Sequence, residues 1–234
     1  MLTENKFSKY LLYAIGEIIL VVIGILIALG INNWNNNRLV DFQKTNFLKN
    51  IKKDLISDTL AFEKSIKLYE ELITKKKKLI SLSEYGTISS DSLSYIFFSK
   101  YSNYDINVTT FTKVTNLGIS ELSKNDSLSS KIYKYYTSEL KSFKTYINWE
   151  IEETTNDGNY WVSQNEFEFE SQFPKFRDSV TNRQKLIKLI IEPRGRNQIL
   201  NDYFRKNRVL DKYQKMKKIA SDLIIEIQID LNNR

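Results

Sequence analysis

The amino-acid sequence predicts an all-α protein, with an N-terminal transmembrane helix followed by an antiparallel bundle of long helices with short capping helices. Three observations support this fold class. Residues 10–31 form an apolar run, hydrophobic residues then recur at three- and four-residue steps, and the 234 residues include only seven glycines and two prolines. Such periodicity is typical of amphipathic helices, and the scarcity of turn-forming residues argues against a fold with many tight turns.

The apolar run divides the chain into three parts. We predict a short tail over residues 1–9, a transmembrane helix over residues 10–31, and a helical-bundle domain outside the bilayer over residues 32–234. At a rise of about 1.5 Å per residue, about 20 apolar residues cross a hydrocarbon core of about 30 Å. The lipid bilayer is therefore the first partner that the sequence predicts.

Aromatic residues flank the apolar run on both sides. Tyr10 and Tyr13 lie at its start and Trp34 lies just beyond its end, among asparagines. Rings at the headgroup level anchor a spanning helix, so we predict these three residues to be interfacial anchors. A cleaved signal peptide is the alternative, because Ala28 and Gly30 are small residues at the right spacing for a peptidase. The run exceeds the usual length of a signal peptide's apolar region, which favours the uncleaved anchor.

The same residues carry a resemblance to a known family. Residues 9–17 (KYLLYAIGE), 20–29 (LVVIGILIAL) and 31–35 (INNWN) resemble the N-terminal signature of DUF6090, a family of uncharacterised membrane proteins from Bacteroidota. The resemblance is specific over about residues 4–37. It implies a single-pass protein of the bacterial inner membrane and assigns no activity.

Two arguments about membrane topology disagree. Counting positive charges favours a cytoplasmic C-terminal domain, because two lysines precede the run and five basic residues follow it by residue 53. Long domains, however, translocate largely regardless of charge, and a short basic tail before a first apolar helix behaves as a signal-anchor. The basic tail usual in the resembling family agrees with the second argument. We therefore predict a periplasmic C-terminal domain.

One face of the predicted membrane helix carries the candidate interface residues Glu17, Gly24 and Ala28. Their spacings of seven and four place them on the same side of a helix. Small residues permit close helix approach, and a carboxyl group inside the apolar layer usually faces a partner. We predict contact there with a second copy or with another membrane protein. In the alternative interpretation, Glu17 extends to the nearby headgroups and the small residues are incidental.

Beyond the membrane segment, the apolar spacing predicts two long helices and one of intermediate length. Residues 42–80 form the first long helix, with residues 75–78, four lysines, as a solvated turn near its end. Another helix follows Asp126, before a turn at residues 156–159, and a last one runs from about residue 197 to 232. The positions expected to face inward in the first and last helices are Phe42, Leu48, Ile51, Leu55, Phe62, Ile66, Tyr69, Ile73, Ile80, Ile199, Leu200, Phe204, Leu210, Tyr213, Met216, Ile219, Ala220, Leu223, Ile227 and Leu231.

Short elements are predicted between the long helices. A short helix begins at Ser90 or Asp91, and a helical turn capped by Thr109 or Thr110 ends at Gly118. Residues 181–191 form another helix, which Pro193 and the glycine two residues later end. The aromatic-rich residues 160–178 are an irregular crossover that has room for a short strand.

Two charge blocks of opposite sign stand out. Residues 150–170 have seven acidic and no basic residues, and residues 194–218 have nine basic and two acidic residues, a net charge of +7. The two blocks could pair with each other, within one chain or between subunits. In the alternative interpretation they form two separate solvated faces.

The composition excludes several kinds of chemistry. Without cysteine or histidine the chain has no thiolate metal site, no cysteine nucleophile and no Ser-His-Asp triad, and it lacks phosphate-binding and nucleophile-elbow motifs. We predict no catalytic residues, no cofactor, no metal site and no nucleic-acid partner. The expected role is that of an envelope interaction or accessory/sensory module that binds a partner protein or ligand. A structural tether that oligomerises through its membrane helix is the second hypothesis, and an enzyme of unrecognised type is the third.

Overall fold

The computed structural model describes residues 4–82, 84–89, 93, 100–164, 166, 168–171 and 176–234, with side chains from residue 9 onward. It is 81% helical and has no strand in these ranges, which confirms the predicted all-α class. The chain divides into two compact units, residues 1–48 and residues 49–234. The predicted boundary between membrane helix and bundle, after residue 31, stays a prediction.

Six α-helices and one π-helical turn are described. They are α1 (Glu4–Ile80), α2 (Thr109–Asn116), α3 (Asp126–Lys134), the π-turn (Tyr135–Glu139), α4 (Leu140–Val162), α5 (Val180–Ile191) and α6 (Pro193–Asn232). The expected short helix from Ser90 or Asp91 falls almost wholly outside the described residues.

The described residues of the first unit, 4–48, belong to α1. Its apolar side chains from Tyr10 to Ile31 are exposed on every side of the helix. This is the one described helix that is long and apolar enough to cross a membrane, by its length and composition.

The second unit is built on three long helical segments: residues 49–80 of α1, the α3–π-turn–α4 segment, and α6. Side-chain pairs show that α6 runs antiparallel to the other two. Glu139 pairs with Lys215 and Lys131 with Glu226, while Glu63 pairs with Lys217. The partner's number on α6 falls from 226 to 215 as the number rises from 131 in α3 to 139 in the π-turn. It falls from 217 to 202 as the number on α1 rises from 63 to 76. The predicted antiparallel bundle is confirmed.

The two short helices cover opposite ends of this bundle. On α2, Phe111 stacks on Tyr136 with 4.7 Å between ring centroids, and Gly118 after it has the positive φ of +68° expected of a residue that ends a helix. The predicted threonine cap is wrong, because Val108 precedes α2 without a side-chain bond. At the other end, α5 supplies Leu186 and its neighbours to a buried apolar cluster of Leu79, Tyr85, Leu93, Trp161, Phe176, Leu186, Leu189, Ile190 and Ile199.

As predicted, α5 ends at Ile191, with Glu192 extended before Pro193, but Pro193 and Gly195 themselves lie in the first turn of α6. Proline is tolerated in the first turn of a helix, where its missing N–H would have no partner. Gly195 is buried there, and a Cβ atom on it would lie 2.0 Å from the carbonyl oxygen of Leu189. The glycine is needed for close packing of α6 on the end of α5, so its position inside the helix is explained by space and not by a turn.

Other differences concern inward positions and the crossover. Phe42 and Phe204, expected to face inward, are exposed, whereas Leu72 and Leu79 are buried in place of the half-buried Ile73 and Ile80. Among the described residues of the crossover, Phe169 and Phe176 form one isolated antiparallel β-bridge. The predicted short strand is thus reduced to a single bridge.

Candidate functional site

The predicted membrane-interface residues all lie on the helical part of the first unit. Glu17, Gly24 and Ala28 are exposed, and no atom lies within 4 Å of where a Cβ on Gly24 would be. The predicted anchors are exposed as well: Tyr10 by 74%, Tyr13 by 80% and Trp34 by 65%. Because this stretch is α-helical, the seven- and four-residue spacings place the three interface residues on one face. Their role as an interface stays a prediction.

A buried cluster of six charged side chains lies inside the bundle. It joins all three long helical segments and is electrically balanced, with three carboxylates and three cations: Lys76, Glu150, Asp157, Asp202, Arg205 and Lys206. An aromatic layer lies on one side of it, where Phe143 meets Tyr213 at 5.0 Å between ring centroids. On the other side lies the apolar cluster around Trp161.

Arg205 and Lys206 connect the cluster. The Nε of Arg205 donates to Glu150 at 2.9 Å, and its Nη2 donates to Asp202 at 2.6 Å and also to Asp157. Lys206 donates to the second oxygen of Glu150 and to the hydroxyl of Thr154 at 3.2 Å. Both basic side chains are almost fully buried. Buried charges persist only when paired and hydrogen-bonded, and these requirements are largely met here.

The ionisation of the two aspartates differs although both contact Arg205. Burial opposes the charged form of each, but Asp202 also pairs with Lys76 and lies near Lys206, so its pKa falls to about 2. Asp157 forms an ion pair with Arg205 alone, and burial, reinforced by the charge of Asp202, raises the pKa of its carboxyl group above the ordinary value. The number of cations around a carboxylate decides the direction of its shift.

The cluster settles three sequence predictions. The opposite charge blocks do match within one chain, through Glu150 and Asp157 on one side and Arg205 and Lys206 on the other. The predicted turn at residues 156–159 is wrong, because α4 continues to Val162 with Asp157 facing α6. The prediction of four solvated lysines is wrong for Lys76, which is 2% exposed and paired with Asp202.

A second polar cluster, which we call the π-turn site, lies where α1 meets the π-turn. Its members are Asp54 and Asp58 on α1, Tyr104 and Asn107 on the loop before α2, and Tyr135 and Tyr136 in the π-turn. The hydroxyl of Tyr104 donates to Asp58 at 2.7 Å, and that of Tyr135 donates at 3.2 Å. The backbone N–H of Asn107 donates to Asp58 at 3.1 Å, and its side-chain amide donates to Asp54 at 2.9 Å.

The π-turn explains why two adjacent tyrosines are both buried. Neighbouring residues of a regular α-helix differ by about 100° in direction, so both seldom face one core. The wider π-turn brings Tyr135 and Tyr136 to the inner side, with their rings 4.9 Å apart. Single π-turns within α-helices occur frequently at functional sites. The one sequence signal for this site was the one-residue step between two apolar positions at Tyr135 and Tyr136.

Two carboxylates share the π-turn site, and within the described ranges neither forms an ion pair. Burial raises the pKa of the Asp58 carboxyl group, an effect that the three hydrogen bonds to it oppose and the charge of Asp54 reinforces. Burial, with the charges of both aspartates, also raises the pKa of the Tyr136 hydroxyl. The site therefore favours positive charge or a proton.

Fold and sites together define an all-α protein with one apolar N-terminal helix long enough to cross a membrane, and with a bundle that encloses two polar clusters. A family model described as a family of unknown function, DUF6090, matches residues 17–165, more than half of the chain. The chain belongs to this family. No curated protein and no solved structure matches it.

Proposed function

We propose that the protein is a non-enzymatic interaction protein anchored in the bacterial inner membrane by a single helix over residues 10–31. Its helical domain would lie on the periplasmic side and bind a partner protein or ligand. The observation that carries this proposal is the exposure of an entire apolar helix surface, with Leu20 exposed by 73% and Ile18 by 63%. Leaving such a surface in water is unfavourable by about 25 cal/mol per Å², whereas lipid covers it without this cost.

The charge cluster of the described residues bears on the choice between an interaction protein and an enzyme. The carboxylates of the charge cluster are neutralised by arginine and lysine and enclosed between apolar layers. Such an arrangement supports a structural role for these groups, because a general acid or base must reach its substrate. This supports the proposal of an interaction protein over an enzyme.

A structural tether is the second candidate, and the Glu17 face favours it. Glu17, Gly24 and Ala28 share one side of a helix whose surroundings within the protein are open. Self-association along this face would organise several copies in the membrane. Co-purification from native membranes separates the two candidates: recovery of a different protein supports the interaction module, and recovery of the chain alone supports the tether.

Membrane anchoring is tested by fractionation and by the mature N-terminus. We expect the full chain to stay in the membrane fraction after a carbonate wash, with residues 10–31 retained. A mature N-terminus at Ile31 would replace this proposal by that of a cleaved signal peptide, and release by carbonate would refute the anchor.

Topology is tested with one introduced thiol. The chain has no cysteine, so Ser127→Cys on the exposed side of α3 creates a single reactive site. We expect a membrane-impermeant maleimide to label it in intact spheroplasts. Labelling only after lysis would place the domain in the cytoplasm.

Association through the Glu17 face is measured on the full chain in vesicles, by energy transfer between copies labelled at this thiol. Glu17→Gln should be tolerated, because an amide still donates and accepts hydrogen bonds. Glu17→Leu should weaken association by about 0.6–2 kcal/mol, and Gly24→Ile should weaken it by blocking close approach. Gly30→Ile is the matched control, because Gly30 lies on the opposite face and is equally open. Equal effects of the two glycine substitutions would refute the interface.

A further inference from the structure

Two buried oxygen atoms of the π-turn site have no hydrogen-bond partner. They are the Oδ2 of Asp54 and the hydroxyl of Tyr136. Tyr136 is 5% exposed, and its ring is fixed between Phe111 and Tyr135. Buried polar atoms are almost always paired with protein, water or an ion, so each unpaired atom needs an explanation.

The other donors of the site are already used. Asp58 accepts from Tyr104, Tyr135 and the backbone of Asn107. The side-chain amide of Asn107 donates to the Oδ1 of Asp54, and its oxygen accepts from the backbone of Thr109 at 3.1 Å. The hydroxyl of Tyr136 is the one unused donor, and it makes no hydrogen bond to the Oδ2 of Asp54, so satisfying both atoms calls for a group from outside the site.

Charge decides between a water molecule and a cation. Asp54 and Asp58 lie four residues apart on one helix face, so two carboxylates are neighbours. The exposed Asp105, which borders Tyr104, is paired with Lys144 at 3.8 Å, so it adds no net charge to the site. A water molecule would complete the hydrogen bonds but would leave the two carboxylates without a counter-charge. A cation would both contact the unpaired oxygen atoms and supply the counter-charge for the two carboxylates.

We propose that the π-turn site binds a hard divalent cation, with Ca²⁺ the preferred ion, between Asp54, Asp58 and Tyr136. All of its donor atoms are oxygens, which hard cations prefer. The three protein donors come from a helix and a π-turn, an irregular set that Ca²⁺ accepts more readily than Mg²⁺, which requires near-octahedral geometry.

The proposed site is a weak one. Among the described residues no group of three or more carboxylate, histidine or cysteine side chains gathers as metal ligands. The protein therefore supplies two carboxylates, and neutral oxygens of the phenol and of water complete the coordination. Calcium affinity rises with the number of charged ligands, and this site has only two, so we expect binding in about the 10⁻⁴–10⁻³ M range of weak calcium sites. This inference is independent of the proposed membrane function.

The test uses the full chain in detergent, freed of metal with EDTA and then titrated with CaCl₂ or MgCl₂. We expect Ca²⁺ to raise the midpoint of thermal unfolding in a saturable way, and to do so at lower concentration than Mg²⁺. Tb³⁺ provides a second measurement, because a nearby tyrosine transfers excitation energy to a bound Tb³⁺, and Ca²⁺ should displace it.

Three variants assign the binding to this site. Asp54→Asn removes the charge but leaves an oxygen that accepts from Asn107, so the fold is retained, and we expect affinity to fall by about tenfold or more. Tyr136→Phe keeps the ring stacked on Phe111 and should reduce the Tb³⁺ signal. Asp211→Asn, a change of an exposed carboxylate on α6, is the matched control and should bind as the parent does.

Two results would refute cation binding at the π-turn site. If neither Ca²⁺ nor Tb³⁺ binds saturably, or if Asp54→Asn binds as tightly as the parent, the proposal is wrong and water alone accompanies the two unpaired oxygens.

Discussion

Replacing Glu150 by glutamine is the most direct test of the buried charge cluster. The change preserves shape and removes one negative charge from a group that is 0% exposed. Glu150 accepts one hydrogen bond from Arg205 and one from Lys206. In the variant, the amide oxygen can accept only one of these bonds in the same geometry, and the amide NH₂ faces the other donor.

The cost follows from the partners that remain. Arg205 keeps Asp157 and Asp202, but Lys206 keeps only the Thr154 hydroxyl and Asp202, whose oxygen lies 3.5 Å from its Nζ. Hydrogen bonds to charged groups contribute about 1.5–3 kcal/mol each, and removing one partner of a buried ion pair costs about 3–5 kcal/mol. We therefore expect the free energy of unfolding to fall by about 3–5 kcal/mol.

Urea unfolding of the full chain in detergent, followed by far-UV circular dichroism, measures this change. Glu152→Gln is the matched control, because Glu152 lies two residues away on the exposed side of α4 and should change stability by less than about 0.5 kcal/mol. Adding Lys206→Met to Glu150→Gln should recover part of the loss, because the uncompensated cation is removed. A Glu150→Gln variant as stable as Glu152→Gln would refute the reasoning.

Two further predictions concern packing and pH. Gly195→Ala should destabilise the bundle by about 2–3 kcal/mol, because the added Cβ would meet the carbonyl oxygen of Leu189. Gly158→Ala, in an open helical position, should stabilise the bundle by about 0.5–1 kcal/mol. Equal unfolding midpoints for the two variants would contradict this. The lowered pKa of Asp202, about 2, means that its contribution to stability is complete above about pH 4 and lost as the pH falls through 2, an effect on the order of 2 kcal/mol. Measured by urea unfolding from pH 5 to 2, the free energy of unfolding should fall less for Asp202→Asn than for the parent. Equal decreases would contradict the lowered pKa of Asp202.

Sequence periodicity predicted the long helices because each needs only one apolar face. The stripe through Ile51, Leu55 and Phe62 is buried as expected, and the α5 prediction of residues 181–191 agrees with Val180–Ile191. Such signals are local, since a helix of this kind reveals its inward face through residues three and four apart.

The two polar clusters were beyond sequence reasoning, because they depend on contacts between distant segments. Lys76 looked like one of four equivalent lysines, and only its position opposite Asp202, more than 120 residues later, makes it a buried cation. The turn residues around Gly158 likewise describe a local preference that tertiary contacts override, here through the pairing of Asp157 with Arg205.

The charge cluster also explains how the helices select one alignment. On α6, apolar residues such as Val209, Tyr213 and Met216 recur at three- and four-residue steps, so a slip of one turn, about 5.4 Å, would still offer apolar contacts. The same slip would carry Arg205 away from Glu150 and leave buried charges unpaired. Unpaired buried charges cost several kcal/mol, which is more than a change of apolar neighbours costs. We therefore expect the apolar layers to supply most of the stability and the charge cluster to set the register of α6 against α4.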